Sequence, residues 1–225
     1  GRAFYEEVSP LIEKLDAVAA SYRATTPTSI VRISVQPFFG SEYFVPRLSQ
    51  FTAQHPEIEA KMHAELDEKL GGRTPQLDDI GNLTYTRMII DEALRLYSPV
   101  GLTARHIAQD DVIDGYHIPK GSMVVVFPYA THRHHEFWEH PFAFYPEHFT
   151  PEAIEKRPRY AYYPFGAGQR VCIGNHFALM EAMLILADVA QRYQPRLAQP
   201  HEGTVKFIGV MRPTKPLMMT LDRRA

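Results

Sequence analysis

The chain has 225 residues, 45% of them hydrophobic and 22% charged, with a formal net charge of −2. That is ordinary globular composition with room for one good core or two small ones, and the near-neutral balance offers no basic field to nucleic acid. No apolar run approaches the roughly 18–20 residues of a membrane span, and no leader pattern stands before the acidic start, which lacks Met; the expectation is a soluble, cytoplasmic protein or a soluble piece of a larger one.

Taken in chain order, Leu11, Leu15, Val18 and Tyr22 recur at helical spacing and predict a helix over about 10–23. Thr25-Thr26-Pro27-Thr28-Ser29 breaks that pattern, and Pro37, Gly40 and Pro46 forbid a long regular helix in the stretch up to Phe51. Pro56 suits a first helical turn; Ile58, Met62, Leu66 and Leu70 supply its stripe, and Gly71-Gly72 stop it. After a loop holding Leu77-Asp78-Asp79, a helix over about 84–97 presents Ile89, Ala93 and Leu96 and ends at Ser98-Pro99. Residues 102–128 read as strand and turn. Pro119-Lys120-Gly121 gives a turn with Pro at i+1 and Gly at i+3, and Met123 to Phe127 reads as a buried strand. Residues 128–171 are rich in aromatics and prolines with little periodicity, as in a long functional or wrapping loop. A helix over about 176–193 is apolar nearly all round and is expected to be deeply buried. Two strands, 205–210 and 217–221, are expected to be joined by Arg212-Pro213-Thr214-Lys215-Pro216.

Cys172 is the single cysteine. An internal disulfide, a multi-cysteine zinc site and a cysteine-ligated iron–sulfur cluster are therefore excluded. Inert packing, a nucleophile and one thiolate ligand to a metal remain. The segment Phe165-Gly166-Ala167-Gly168-Gln169-Arg170-Val171-Cys172-Ile173-Gly174 is a glycine-rich loop entering the apolar helix. Glycines let the backbone fold tightly and let a flat ligand approach. A thiolate near a helix N-terminus gains from the helix dipole and free N–H groups. Arg170 can meet a carboxylate, and Phe165 can cover the sulfur side of a planar ligand. The glycine spacing fits neither G-x-G-x-x-G nor a phosphate loop.

This loop resembles the haem-binding signature of cytochromes P450, Phe-x-x-Gly-x-Arg-x-Cys-x-Gly, at every fixed position. Glu92-Ala93-Leu94-Arg95 resembles the family's Glu-x-x-Arg pair, and Pro146-Glu147-His148-Phe149 resembles the Pro-Glu-Arg-Phe segment that completes its structural lock. His148 stands where Arg is more usual, and its charge depends on pH. Gln54-His55-Pro56-Glu57, Leu83-Thr84-Tyr85 and Ile118-Pro119-Lys120-Gly121 look like further landmarks. Arg105 matches a position that contacts a haem propionate, and Met211-Arg212-Pro213 resembles a hairpin that usually touches substrate. The resemblance implies a mainly α fold with small antiparallel β-sheets (α+β), similar to the C-terminal part of the family's fold. It implies haem b (iron protoporphyrin IX), with Cys172 as catalytic axial iron ligand and Phe165, Gly168, Arg170, Gly174 and Arg105 around the cofactor. Glu92, Arg95 and His148 would form the structural lock. It implies a monooxygenase in which the thiolate pushes electron density onto iron, favours O–O cleavage and so hydroxylates a small apolar organic substrate. Electrons would come from a separate ferredoxin or flavoprotein reductase.

The match covers about Thr52 to Leu221, so 52–225 is expected to be the haem-binding domain and 1–51 a truncated or divergent segment. The family's distal Ala-Gly-x-Asp/Glu-Thr motif would fall near 36–41, where Gln36-Pro37-Phe38-Phe39-Gly40-Ser41 stands instead. A catalytically incompetent haem-binding remnant is therefore an alternative to an oxygenase. Two others come from the residues themselves. His132, His134, His135 and His140 look metal-like but lack the H-E-x-x-H spacing. Cys172 as a protease-like nucleophile has no indicated base.

Overall fold

The computed structural model describes residues 55–198, 205–208, 210–214 and 218–224. The helix expected over 10–23, the irregular stretch to Phe51, residues 36–41 and the boundary at 51/52 lie outside them.

Helix α1 spans Pro56–Leu70, with Pro56 in the first turn and Gly71 closing it in the left-handed conformation (φ 58°), its N–H donating to Asp67 O. Its stripe of Ile58, Met62, Leu66 and Leu70 is buried. A 3-10 segment at Leu77–Asn82 leads into α2, Thr84–Leu96. No side chain of its own caps α2. Glu65 on α1 does so: one carboxylate oxygen accepts from Tyr85 N (2.6 Å) and the other from Thr86 N (2.8 Å). A negative group at that helix start also meets the positive end of the dipole.

Helix α2 is buried on more faces than its spacing predicts. Ile89, Ile90, Leu94 and Leu96 are buried, and so are Asp91, Glu92 and Arg95. Helix α5 (numbered after two short helices below) spans Asn175–Arg192. Ala182, Met183, Leu186, Ala187 and Ala190 pack with the α1 stripe, Leu83 and the apolar side of α2 in one core. The first turn of α5 departs from the expected deep burial, since Phe177 is exposed. Apolarity all round a helix means burial only where something covers every face; here full burial begins at Ala182, while Leu179 is only partly buried against the core.

Among the described residues, four two-stranded antiparallel sheets join the helices in an α+β architecture. β1 (Thr103–His106) pairs with β4 (Met123–Val126), and β2 (Asp111–Ile113) with β3 (Tyr116–Ile118). The hairpin β2–β3 turns at Asp114-Gly115, both with positive φ, the arrangement a two-residue hairpin requires. The turn after β3 is shifted by one residue from expectation. Ser122 N donates to Pro119 O, which puts Gly121 (φ 84°) at i+2, where positive φ is needed. The apolar run Met123 to Phe127 is not buried: Met123, Val125, Val126 and Phe127 are all exposed. The run has strand propensity, but among the described residues its sheet has only the two strands β1 and β4.

Within 128–171 the chain makes short helices rather than one loop: α3 (Pro128–Thr131), a 3-10 turn at Pro146–Phe149, and α4 (Pro151–Lys156), capped by the Thr150 hydroxyl accepting from Ala153 N. The C-terminal strands pair differently from expectation. β6 (Val205–Ile208) and β7 (Val210–Pro213) form their own hairpin, while β8 (Met219–Arg223) returns to β5 (Tyr193–Leu197) at the end of α5. Ile208 stands opposite Val210 and Val205 opposite Pro213, so the expected 205–210 strand is split between two paired strands. Arg196 on β5 reaches Glu59 (3.2 Å), and Arg224 reaches Asp67 (2.7 Å), tying this sheet to α1. Among the described residues no helix is long and apolar enough to cross a membrane.

Candidate functional site

Two groups of residues singled out in the sequence come together in the fold. In the first, Glu92 and Arg95 lie one turn apart on α2 and both are fully buried. Arg95 Nε donates to Glu92 Oε2 (2.7 Å) and Nη2 to Glu92 Oε1 (2.8 Å), a two-pronged ion pair. Its remaining N–H groups go to the carbonyls of His132 (2.6 Å), Pro141 (2.7 Å) and Ala143 (2.8 Å). All five guanidinium donors are thus used, and the guanidinium also sits 4.9 Å over the Trp138 ring. The aromatic-rich stretch 128–149 wraps around this one side chain.

His148 closes the group. Its Nδ1 lies 3.2 Å from both Glu92 oxygens and its Nε2 donates to Glu139 O. The His148 ring thus bridges the Glu92 carboxylate and the Glu139 carbonyl. Tyr145 N adds a further donor to Glu92 Oε1 at 2.8 Å. Burial pushes the Glu92 carboxyl up, but the hydrogen bonds and charges of Arg95 and His148 outweigh it and hold it below the usual carboxylate range. An open cleft of about 470 Å³ borders this group, lined among others by Glu139, Glu147, His148 and Arg157. It does not reach the Cys172 loop.

The second group is that loop. Gly166 and Gly168 take positive φ (75° and 65°), a 3-10 turn follows at Gly168–Arg170, and Cys172 N donates back to Phe165 O at 2.9 Å. Gly174 caps α5, and a Cβ placed on it would lie 3.9 Å from Cys172 Sγ. The thiol is exposed. Val171, Ile173 and Phe177 beside it are exposed as well, Ile173 completely. Phe165 is half-buried and packs partly against the helical core. A soft sulfur donor set among apolar side chains, on a glycine-bent loop ahead of a helix start, fits the thiolate side of a haem.

Arg105 stands on β1 opposite Val124, and its Nη1 donates to Thr103 Oγ1 (3.0 Å) and Ala104 O (2.8 Å). The C-terminal hairpin comes to the start of β1: Met211 N donates to Pro99 O (2.9 Å), and a Cβ on Gly101 would meet Met211 Sδ at 3.1 Å. Exposed Val100 and Leu102 border that contact in sequence, and Phe127, also exposed, stacks on Tyr129, whose N–H donates to Gly101 O.

The histidine cluster separates. His132 is fully buried, while the His134 ring stacks on His135 at 4.9 Å. Among the described residues no three His, Cys, Asp or Glu side chains converge on a metal-sized site. Sequence reasoning placed His132 with these loop histidines; its carbonyl and ring instead belong to the Arg95 group and to Tyr163, whose N–H donates to His132 Nε2 at 3.0 Å. Nothing in the local spacing signals that role, which depends on contacts distant in sequence. Tyr162 was missed in the same way: its hydroxyl donates to Asp91 on α2 (2.9 Å).

The chain matches a family model described as Cytochrome P450 over residues 50–221. It is 40% identical over 151 residues to "Cyclooctatin synthase" of Streptomyces melanosporofaciens, covering 67% of this chain and 32% of that protein. It is 37% identical over 177 residues to "Cytochrome P450 4V2" of Homo sapiens, covering 76% of this chain and 33% of that protein. It is 40% identical over 150 residues to "Cyclooctat-9-en-7-ol 5-monooxygenase" of Streptomyces melanosporofaciens, covering 67% and 32%. The chain thus spans about a third of the length of the curated relatives it matches. With the model match running through both the Arg95 group and the Cys172 loop, the chain belongs to the cytochrome P450 family.

Proposed function

We propose that this chain is the C-terminal haem-binding part of a cytochrome P450 monooxygenase and that Cys172 is the axial ligand of haem b iron. Family membership implies haem. The observation that carries the ligand assignment is the exposed Cys172 thiol, held by its own backbone N–H to Phe165 O at the entry to α5. Val171, Ile173 and Phe177 would lie against the macrocycle. Arg170 and Arg105 are exposed cations suited to its propionates; Arg105 would exchange its weak local bonds for a charge-assisted one. Gly168, where a Cβ would meet nothing within 4 Å, keeps the positive φ the loop needs, and Gly174 keeps the space beside the sulfur. Glu92, Arg95 and His148 would hold the stretch 128–149 in place under the loop. Residues 52–225 would form this domain, with 1–51 a truncated or divergent segment.

Bound haem supplies dioxygen binding and O–O cleavage, for which a thiolate ligand is suited. The relative named a monooxygenase supports hydroxylation of a small apolar organic substrate. The exposed side chains of Val100, Leu102 and Phe127, next to the Met211 hairpin, would face it. A separate ferredoxin or flavoprotein reductase would supply electrons. A second reading, a haem-binding piece without oxygen chemistry of its own, is favoured by Gln36-Pro37-Phe38-Phe39-Gly40-Ser41 at the expected place of the proton-delivering acid and alcohol.

Haem loading followed by reduction under carbon monoxide tests the ligand: a strongly red-shifted Soret band is expected, and no haem uptake would end the reading. Turnover of a fatty acid or terpene with electrons supplied then separates the two readings. Product formation supports the monooxygenase; a red-shifted band without product supports the haem-binding piece.

A further inference from the structure

His132 hydrogen-bonds both Arg95 and the chain leading to Cys172. It follows α3 and is fully buried. Its carbonyl accepts from Arg95 Nη1 at 2.6 Å. Its ring turns the other way, and Nε2 lies 3.0 Å from Tyr163 N. A backbone amide only donates, so Nε2 is an acceptor and the single proton of the neutral ring is on Nδ1. Burial, with Arg95, Arg133 and Arg157 nearby, lowers this histidine to about 3, so the neutral form persists through the physiological range. The ring is enclosed by Trp138, Tyr162 and Tyr163, at centroid distances of 6.4, 5.3 and 5.2 Å. Among the described residues Nδ1 has no hydrogen-bond partner.

Tyr163 opens the segment Tyr163-Pro164-Phe165, whose last carbonyl accepts the Cys172 N–H at 2.9 Å. Gly166 N also donates to Tyr163 O at 3.0 Å. The side chain of Tyr163 is fixed separately, its hydroxyl 2.8 Å from Thr131 Oγ1. Backbone and side chain of the loop's root are therefore pinned to the same short helix end, and Pro164 carries no N–H that could take over. Removing the acceptor at His132 leaves a part-buried amide without a partner.

We propose that His132 is a positioning residue for the Cys172 sulfur: its main chain is fixed by Arg95 and its ring fixes Tyr163, so the loop inherits its height from the buried ion pair on α2. The inference rests on the haem-thiolate reading for its consequence, but the strut itself can be read without haem.

The first arm of the test uses the full chain labelled with nitrogen-15. His132 should show Nδ1–H with an unprotonated Nε2, and the Tyr163 amide should be protected from hydrogen exchange. An Nε2–H tautomer, or an unprotected Tyr163 amide, overturns the strut whether or not haem binds. The second arm uses the haem-loaded protein under carbon monoxide and follows loss of the red-shifted Soret band at a temperature where far-ultraviolet circular dichroism is constant. His132→Phe fills the ring volume without an acceptor and should lose the band about tenfold faster than wild type, the scale of one unsatisfied buried donor. His132→Gln places an amide oxygen near the Nε2 position and should stay within about threefold of wild type. Equal rates in wild type and His132→Phe, or loss that only tracks global unfolding, overturn the proposal. If wild type itself shows no red-shifted band, the haem reading has failed, and the first arm alone decides the strut.

Discussion

The Arg95 group and the Cys172 loop are built on opposite plans. Around Arg95 every donor has an acceptor, both charges are at zero exposure, and the partners come from residues far apart in sequence. Around Cys172 the loop is held by short-range backbone bonds and positive-φ glycines, and the cysteine is exposed. A buried ion pair costs more in desolvation than it returns unless every donor and acceptor is satisfied. The first region is therefore a device for one geometry, and the second keeps the proposed ligand sulfur accessible. Substitutions should separate them: stability should fall in the first, and ligation in the second.

The largest effect is expected from Arg95→Ala. It strands a buried Glu92 carboxylate and three carbonyls, and should cost about 3–5 kcal/mol in urea unfolding. A loss under about 1 kcal/mol would mean the group is not what holds 128–149. His148→Phe removes the bridge between Glu92 and Glu139 O while filling the space, and should cost about 1–3 kcal/mol. His148→Arg restores a donor to Glu92 and should lose less than His148→Phe in the same titration.

Acid should act on the first region too. His132 is lowered to about 3 in the folded protein from an ordinary value of 6.5. The unfolded chain therefore takes up a proton below 6.5 that the folded chain refuses. This contribution is fully present above pH 6.5 and is lost as pH falls toward 3, by up to about 1.4 kcal/mol per unit. His63, lowered chiefly by burial, adds in the same direction. Glu92 acts at lower pH: its depressed carboxyl gives stability present above 4.5 and lost as pH falls through its folded value. Unfolding curves from pH 7 to 5 should weaken for wild type and weaken less for His132→Gln. Equal slopes would remove His132 from the account. The smallest stability change, about 1 kcal/mol, is expected for Gly168→Ala, because positive φ is strained for a side chain even where nothing crowds it. Calorimetry of the unfolding transition would show it.

What could be read from the sequence follows the same division. The Cys172 loop stood out in the sequence because the signature it resembles lies in contiguous residues with fixed spacings. Helix α1 was legible because Pro56, an apolar stripe and Gly71 signal start, face and stop locally. The Arg95 group was legible only as Glu92, Arg95 and His148, through a resemblance. Its carbonyl partners at His132, Pro141 and Ala143 have no sequence signature, because any residue can supply a carbonyl. Buried His132 looked like a loop histidine for the same reason. The run Met123 to Phe127 and the first turn of α5 were expected to be covered because apolarity was taken as burial. Both instead leave apolar surface open, in keeping with a flat apolar ligand and substrate. The β5–β8 pairing joins strands too distant in sequence for local pattern to reveal.

The central claim is that Cys172 supplies the ligand and little of the stability. Its most direct measurement is the reduced carbon monoxide spectrum of haem-loaded wild type and Cys172→Ala, paired with their urea unfolding curves. The account predicts a strongly red-shifted Soret band in wild type and none in Cys172→Ala, with stabilities equal to within about 0.5 kcal/mol, as for an exposed position away from packing. A red-shifted band that survives in Cys172→Ala would contradict it outright.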